Sequence, residues 1–508
     1  MDMVVHSESG RLAADTPADK VRAMVGQAAR HGKIAIHFHG GLVSYRNGMD
    51  IANRLADVYW NKGAGSYPLF FVWESGLLET LQNNLGEIAW EDFFKLLWKK
   101  IAAIVERKMA QGAGDRAAGT LPSLDTRSLE ASIDQALVPS AAGDGVQKLA
   151  AGEPGALGGL SELTSGEQTI LRAELEGDAA LVLATARVTS GLRVPSVVQA
   201  ERDRGATFIQ GSTVARMDAS ALEELVDRPA PGARGILSVA KVAAAVVKIA
   251  ARVISRRVRN RDHGLHATII EELLRAFYMG SVGKLIWDAI KKDAADAFAQ
   301  PGETYCGTCV LEALRDNIPV GARPRITLVG HSTGAIYIAK FLESAQSLVP
   351  GQKFDVVFLA PASRFDLTAG MLREHGARIN QFRLFAMTDA NEKADRLVPV
   401  LYPHSLLYFV SGVVEGDEDV PIVGMQRFYD PAHFPAVEFP DVETVRSFVS
   451  QSPQRAVWSV SSANAPGLNT ASLKHGDFDN DPETLASLTQ IALAGLGGMA
   501  SATVTGHN

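Results

Sequence analysis

The segment from Arg325 to Gln346 constrains the fold more than any other part of the chain. RITLV is apolar and partly β-branched, GHSTG is a five-residue turn, and AIYIAKFLESAQ carries apolar residues at helical spacing. A strand that turns so quickly into a helix needs small residues where the two elements meet, and Gly330 and Gly334 stand in those places. The pattern G-x-S-x-G is common by chance in a chain with 46 glycines. Its setting between a strand and a helix is far less so, and that setting holds Ser332 in a strained backbone conformation with its hydroxyl exposed above a sheet.

Other segments extend the pattern. Lys33–Phe38 (KIAIHF) reads as a strand running into His39-Gly40-Gly41, and Pro68–Trp73 (PLFFVW) as a second one ending at Glu74-Ser75-Gly76. Residues 49–60 between them have helical spacing, and strand, helix, strand implies a parallel pair. After Pro324 come the strand Arg325–Val329 and further strands at Phe354–Leu359, Phe382–Met387 and Arg455–Val460. From Leu77 to Arg323 the pattern is mostly helical, with a Gly- and Ala-rich stretch over 111–159 and a break at Pro229, Pro231, Gly232 and Gly235. Ser165-x-x-Gln168 and Ser220-x-x-Glu223 read as capping boxes that open helices. The expected class is therefore α/β: residues 1–76 and 324–508 form a core with a mostly parallel sheet flanked by helices, and 77–323 form a helical insertion or lid.

IHFHGG at 36–41 and VGHSTG at 329–334 resemble the oxyanion and nucleophile elements of α/β-hydrolase esterases and lipases, over about residues 33–76 and 324–480. The resemblance implies that Ser332 is a nucleophile and that the turn at Gly40, Gly41 and Leu42 supplies an oxyanion amide, with Gly41 and Leu42 both open as donor. The helix start after Ser332 makes the Thr333 N–H the natural first donor. Two departures stand out. A strand beginning near residue 33 leaves no room for a full pair of strands before it, and the large insertion precedes the nucleophile.

A serine hydroxyl near neutral pH needs an imidazole to take its proton and a carboxylate to orient that imidazole. The family order places both after Ser332. Asp389, at the end of FRLFAMTD, is the first choice of acid, with Asp395 and Asp417 as rivals; a helix cap is its plain structural reading. His475, in the loop KHGDFDND after the last strong strand, is the expected base. His404 precedes SLLYFVSG and reads as packing, His433 follows a proline turn, and His507 adjoins the last residue. The implied reaction is hydrolysis of a small-molecule or lipid ester through an acyl-enzyme, with no cofactor. Asp477, Asp479 and Asp481 lack the glycine and distal glutamate of an EF-hand, so no metal is expected.

Charge narrows the partners. A net charge of −7 provides no global attraction to nucleic acid. The first residues lack a signal-peptide pattern and no run is long and apolar enough to span a bilayer, which points to a cytoplasmic protein. The two cysteines, Cys306 and Cys309, read as packing at a helix start rather than as a redox pair, because a polar turn precedes them. Residues 236–259 form a cationic amphipathic helix with Lys241, Lys248, Arg252, Arg256 and Arg259 on one face. Such a helix either covers the core as part of a lid or makes peripheral contact with an anionic membrane, the second case suiting a phospholipase or lipase. A non-catalytic α/β scaffold that keeps the elbow only as structure is the reading from a different class.

Overall fold

A computed structural model of the protein describes residues 3–41, 43–73, 78–113, 160–192, 216–228, 235–279, 283–301, 304–318, 321, 323–398, 401–462 and 464–496. In chain order its strands are β1 (Val4–Glu8), β2 (Arg11–Leu12), β3 (Lys33–Phe38), β4 (Tyr67–Trp73), β5 (Val226–Asp227), β6 (Ile236–Leu237), β7 (Arg325–His331), β8 (Phe354–Leu359), β9 (Ile379–Met387) and β10 (Ala456–Ser459). All but β5 and β6 join one eight-stranded sheet in the order β10-β9-β8-β7-β3-β4-β1-β2. Every neighbouring pair in it is parallel except β1 with β2. The protein is thus α/β, with a mostly parallel sheet flanked by helices.

Side-chain alternation along the strands builds two cores. On β3, Ile34, Ile36 and Phe38 enter one cluster and Ala35 the other; on β4, Leu69 and Phe71 join the first and Phe70 and Val72 the second. Helices Ala18–His31, Cys306–Asn317 and Gly334–Leu348 cover the first face, and Tyr45–Trp60 with Pro482–Ala494 the second. Because both faces are dry, these strands read as nearly continuous apolar runs. Each fully buried Leu, Ile or Phe contributes about 1.5–3 kcal/mol of transfer free energy.

The sheet differs from expectation at its first edge. The strands β1 and β2 do precede β3, with β1 pairing in parallel to β4. The sequence VVHSE hides this, because a five-residue strand holding a histidine, a serine and a glutamate carries little apolar periodicity.

The stretch 77–323 is also less uniform than a single helical insertion. Helices Asp92–Ala113, Ser165–Glu176, Val239–Val258 and Leu265–Phe277 pack on one another, whereas Lys284–Asp296 and Cys306–Asn317 pack on Gly334–Leu348 and so belong to the layer against the sheet. Helix Ser165–Glu176 begins one residue earlier than its expected box: the Glu167 N–H donates to Thr164 Oγ1 (3.2 Å) and the Thr164 N–H to Glu167 Oε2 (2.8 Å). Helix Ala219–Leu225 starts after Asp218 without a side-chain cap. The glycine-rich residues 114–159 and Pro229, Pro231 and Gly232 lie outside the described residues.

The basic residues of helix Val239–Val258 do not form one exposed face. Arg256 is fully buried against Glu271 and Glu272, Lys241 pairs with Asp227 at 2.8 Å, and Arg259 pairs with Glu418. The apolar side of the helix faces its neighbours instead, as in an ordinary buried helix. No helix among the described residues is long and apolar enough to cross a membrane.

Candidate active site

The strands β3 and β7 are neighbours from which the chain departs in opposite directions, β3 toward β4 and β7 toward β8. A crevice opens at the carboxyl ends of strands at such a switch point. Phe38 lies opposite Gly330 in the register, so the His39-Gly40-Gly41 turn and the GHSTG turn leave the sheet side by side.

The second of these turns is as tight as its glycines require. A Cβ on Gly334 would lie 2.3 Å from the Phe38 carbonyl oxygen, and one on Gly330 would lie 2.7 Å from the Gly334 carbonyl carbon. Ser332 has φ +53°, a left-handed conformation that costs a non-glycine residue about 1–3 kcal/mol. Its backbone is held there: the Ser332 N–H donates to Leu359 O (2.9 Å), and its carbonyl accepts from Ala335 N–H (3.2 Å) and Ala362 N–H (3.0 Å). Helix Gly334–Leu348 starts at once, leaving the Thr333 and Gly334 amides without intrahelical acceptors.

Ser332 Oγ donates to His475 Nε2 at 2.9 Å. The imidazole stands on a short 3-10 turn, His475–Asp477, far along the chain. Burial and the neighbouring charge of His331 pull it down to about 3, so it is neutral and its Nε2 lone pair is open to the serine hydroxyl. Both residues are nearly enclosed, Ser332 being 3% exposed; the hydroxyl lies on the floor of a cleft rather than standing free above the sheet. That cleft, about 820 Å³, is walled by Val43, Leu397, Leu406 and Leu473 beside Gly40 and Gly41. From residues 77–323 only Gln82 lines it among the described residues.

The first glycine turn is fixed by its histidine. His39 Nε2 accepts from the Trp73 N–H (3.1 Å), so the neutral ring carries its proton on Nδ1, which donates to Gly40 O (2.5 Å). The ring is fully buried, stacks on Trp73, and is pulled by burial to about 4. Because a trans peptide sets C=O and N–H antiparallel, pinning the Gly40 carbonyl turns the Gly41 N–H the opposite way. Gly40 approaches Ser332 and Gly41 approaches Thr333, where a Cβ would meet side-chain atoms at 3.3 and 2.8 Å. Leu42 lies outside the described residues.

The carboxylates divide differently from the sequence reading. Asp389 is not brought to His475: Tyr408 Oη donates to its Oδ1 (2.6 Å), Lys393 pairs with its Oδ2 (2.7 Å), and it lines a separate cavity of about 830 Å³ with Arg427 and Trp458. Helix Asp389–Ala394, capped by Thr388, turns Asp389 toward that cavity and presents Asn391 and Ala394 to the Ser332 cleft. Asp395, just past the helix, does reach the base, its Oδ2 accepting the His475 main-chain N–H at 2.8 Å. Burial raises the Asp395 carboxyl above its ordinary value, partly offset by that bond. Asp417 is exposed in a turn, His404 is buried against the carbonyls of His263 and Lys393, His433 pairs with Asp430, and His507 lies outside the described residues.

No family model, curated protein or solved structure matches this chain. The site's chemistry is therefore read from its own geometry.

Three residues at the site were given no catalytic or positioning role by the sequence. His331 donates from Nε2 to the His475 carbonyl (3.0 Å) and faces Asp479 Oδ2 from Nδ1 (3.6 Å). Arg54 in turn donates to Asp479, from Nε to its carbonyl (3.1 Å) and from Nη2 to Oδ1 (3.3 Å). Burial works against the charge on both His331 and Asp479, yet their mutual attraction leaves the histidine raised and the carboxyl lowered. The only hint in the sequence is that a histidine fills the second place of the elbow.

Of the remaining acidic run, Asp481 caps helix Pro482–Ala494 by accepting the Thr484 N–H (2.8 Å), and Asp477 lines the cleft. Among the described residues no group of three or more His, Cys, Asp or Glu is placed to hold a metal ion. Cys306 and Cys309 are buried in helix Cys306–Asn317 and form no disulfide, and burial pushes Cys306 up to about 12, where it is inert.

Proposed function

We propose that the protein is a serine hydrolase that cleaves carboxylic esters through an acyl-enzyme on Ser332. The observation that carries this reading is the 2.9 Å contact from Ser332 Oγ to a neutral, buried imidazole, made by a serine held at positive φ. Oγ attacks the ester carbonyl as His475 Nε2 takes its proton; the oxyanion is met by the Thr333 amide and the amide of the Gly40-Gly41 turn. His475 then returns the proton to the departing alkoxide, and water repeats the sequence to release the acid. Asp395, with one oxygen on the His475 main-chain N–H, holds the loop that carries the base.

The strand, elbow and helix order, beside a glycine turn on the adjacent strand, supports the resemblance to the α/β-hydrolase fold at the level of the site. The leucine-lined cleft suits an apolar acyl group. A series of 4-nitrophenyl esters from acetate to dodecanoate tests the reading. The expected result is turnover with an initial burst, abolished in Ser332→Ala; no turnover above buffer for every chain length would overturn it.

A further inference from the structure

Resting on the hydrolase reading, we infer that the imidazole of His475 is aimed at Ser332 through its own main chain, clamped by Asp395 on its N–H and by His331 on its carbonyl. A histidine base is ordinarily oriented by a carboxylate on its second ring nitrogen. Here Nδ1 of His475 is buried and has no partner among the described residues. What is held is the peptide on either side of its Cα: Asp395 Oδ2 accepts the N–H at 2.8 Å, and His331 Nε2 donates to the C=O at 3.0 Å.

Both clamps are anchored in rigid elements. Asp395 directly follows helix Asp389–Ala394 at the end of β9, and its own N–H donates to Asn391 O (2.9 Å). His331 is the last residue of β7, 6% exposed, and is joined to Ser332 by a single peptide bond. Asp479 holds His331 from behind, and Arg54, from the helix on the far face of the sheet, holds Asp479. The element carrying the nucleophile therefore grips the loop carrying the base. The two rings lie 5.5 Å apart with an interplanar angle of 30°, so His331 fixes position without touching the reacting atoms.

His331 and Asp395 are positioning residues in this account, and their substitutions differ from those of an orienting acid. Asparagine at 395 keeps an oxygen for the His475 N–H and alanine does not; glutamine at 331 keeps a donor for the carbonyl and phenylalanine does not. Steady-state kinetics on a 4-nitrophenyl ester, with fluorophosphonate labelling rates as a second readout, separate the cases. Asp395→Ala and His331→Phe are each expected to lower kcat about 100-fold, the scale of an ångström's misplacement, with KM nearly unchanged. Asp395→Asn and His331→Gln are expected to recover most of that loss.

A fall of roughly 10⁴-fold in Asp395→Asn would overturn the inference, because it would make Asp395 an acid acting on the ring. Wild-type turnover in both Asp395→Ala and His331→Phe would overturn it as well. Should His331→Phe not fold, His331→Gln and the two Asp395 variants still decide between these outcomes. Failure of the hydrolase reading is distinct, since wild-type protein itself would neither turn over nor label.

Discussion

Two buried polar regions of the molecule are built on opposite plans. Where the insertion meets the core, Arg256 donates to Glu271 (2.7 Å) and Glu272 (3.1 Å), His263 donates to Glu271 (2.7 Å) and Asp419 (2.9 Å), and Tyr402 donates to Glu271 (2.5 Å). Carboxylates meet guanidinium, imidazole and phenol donors there, with Glu272 Oε2 and Arg275 Nε left buried without a hydrogen bond among the described residues. At the Ser332 cleft the serine is strained, while His475 Nδ1 and Thr333 Oγ1 are buried without partners among the described residues. Ion pairs of this kind fix a junction. A serine held at positive φ against a neutral imidazole on the wall of an open cleft is what makes the Ser332 region and not the larger charged cluster read as the site of chemistry.

Substitutions in the two regions should accordingly separate activity from stability. Ser332→Ala is expected to lower ester turnover roughly 10⁶-fold while hardly moving the thermal midpoint, measured side by side by kinetics and calorimetry. Arg256→Met should do the reverse, costing about 3–5 kcal/mol in urea unfolding because it takes from two fully buried carboxylates the guanidinium they share. If Ser332→Ala unfolds the protein or Arg256→Met is neutral, the contrast fails.

Acid should affect both readouts. His37, His39 and His475 are held by burial at about 3, 4 and 3, against about 6.5 in an unfolded chain. The folded state then binds fewer protons than the unfolded one below pH 6.5. The stability these rings contribute is complete above that value and is lost as pH falls toward the folded values. The acid limb of kcat/KM should likewise lie well below 6.5, and a limb at 6.5 in a pH-rate profile would show that the base is solvated in the working protein. The smallest effect is expected at the rival carboxylate: Asp389→Asn, facing the other cavity, should change kcat/KM less than about fivefold, whereas a loss of 10³-fold or more would return it to the role of acid.

Much of this was legible before any coordinates, and the exceptions have physical causes. Ser332 and the glycine turn announce themselves because each sits where an apolar strand stops, and a strand of five or more buried residues is a strong local signal; His475 is found from chain order, as the histidine in the loop after the last strong strand. Asp389 and Asp395 are six residues apart around one short helix, and only the rotation of that helix decides which of them meets the cleft. No local pattern encodes that rotation. His331 and Asp479 were hidden for a different reason: their contact joins residues 148 positions apart, and Arg54, which holds Asp479, comes from a third distant segment. The strand β1 was invisible because only Val4 and Val5 of its five residues are apolar, too few to show a period.

The most direct test is intact-mass analysis after treatment with a fluorophosphonate. A single adduct on the peptide carrying Ser332, absent from Ser332→Ala and formed far more slowly by His475→Ala, is the predicted result. An unmodified wild-type protein, or an adduct that survives Ser332→Ala, would contradict the account.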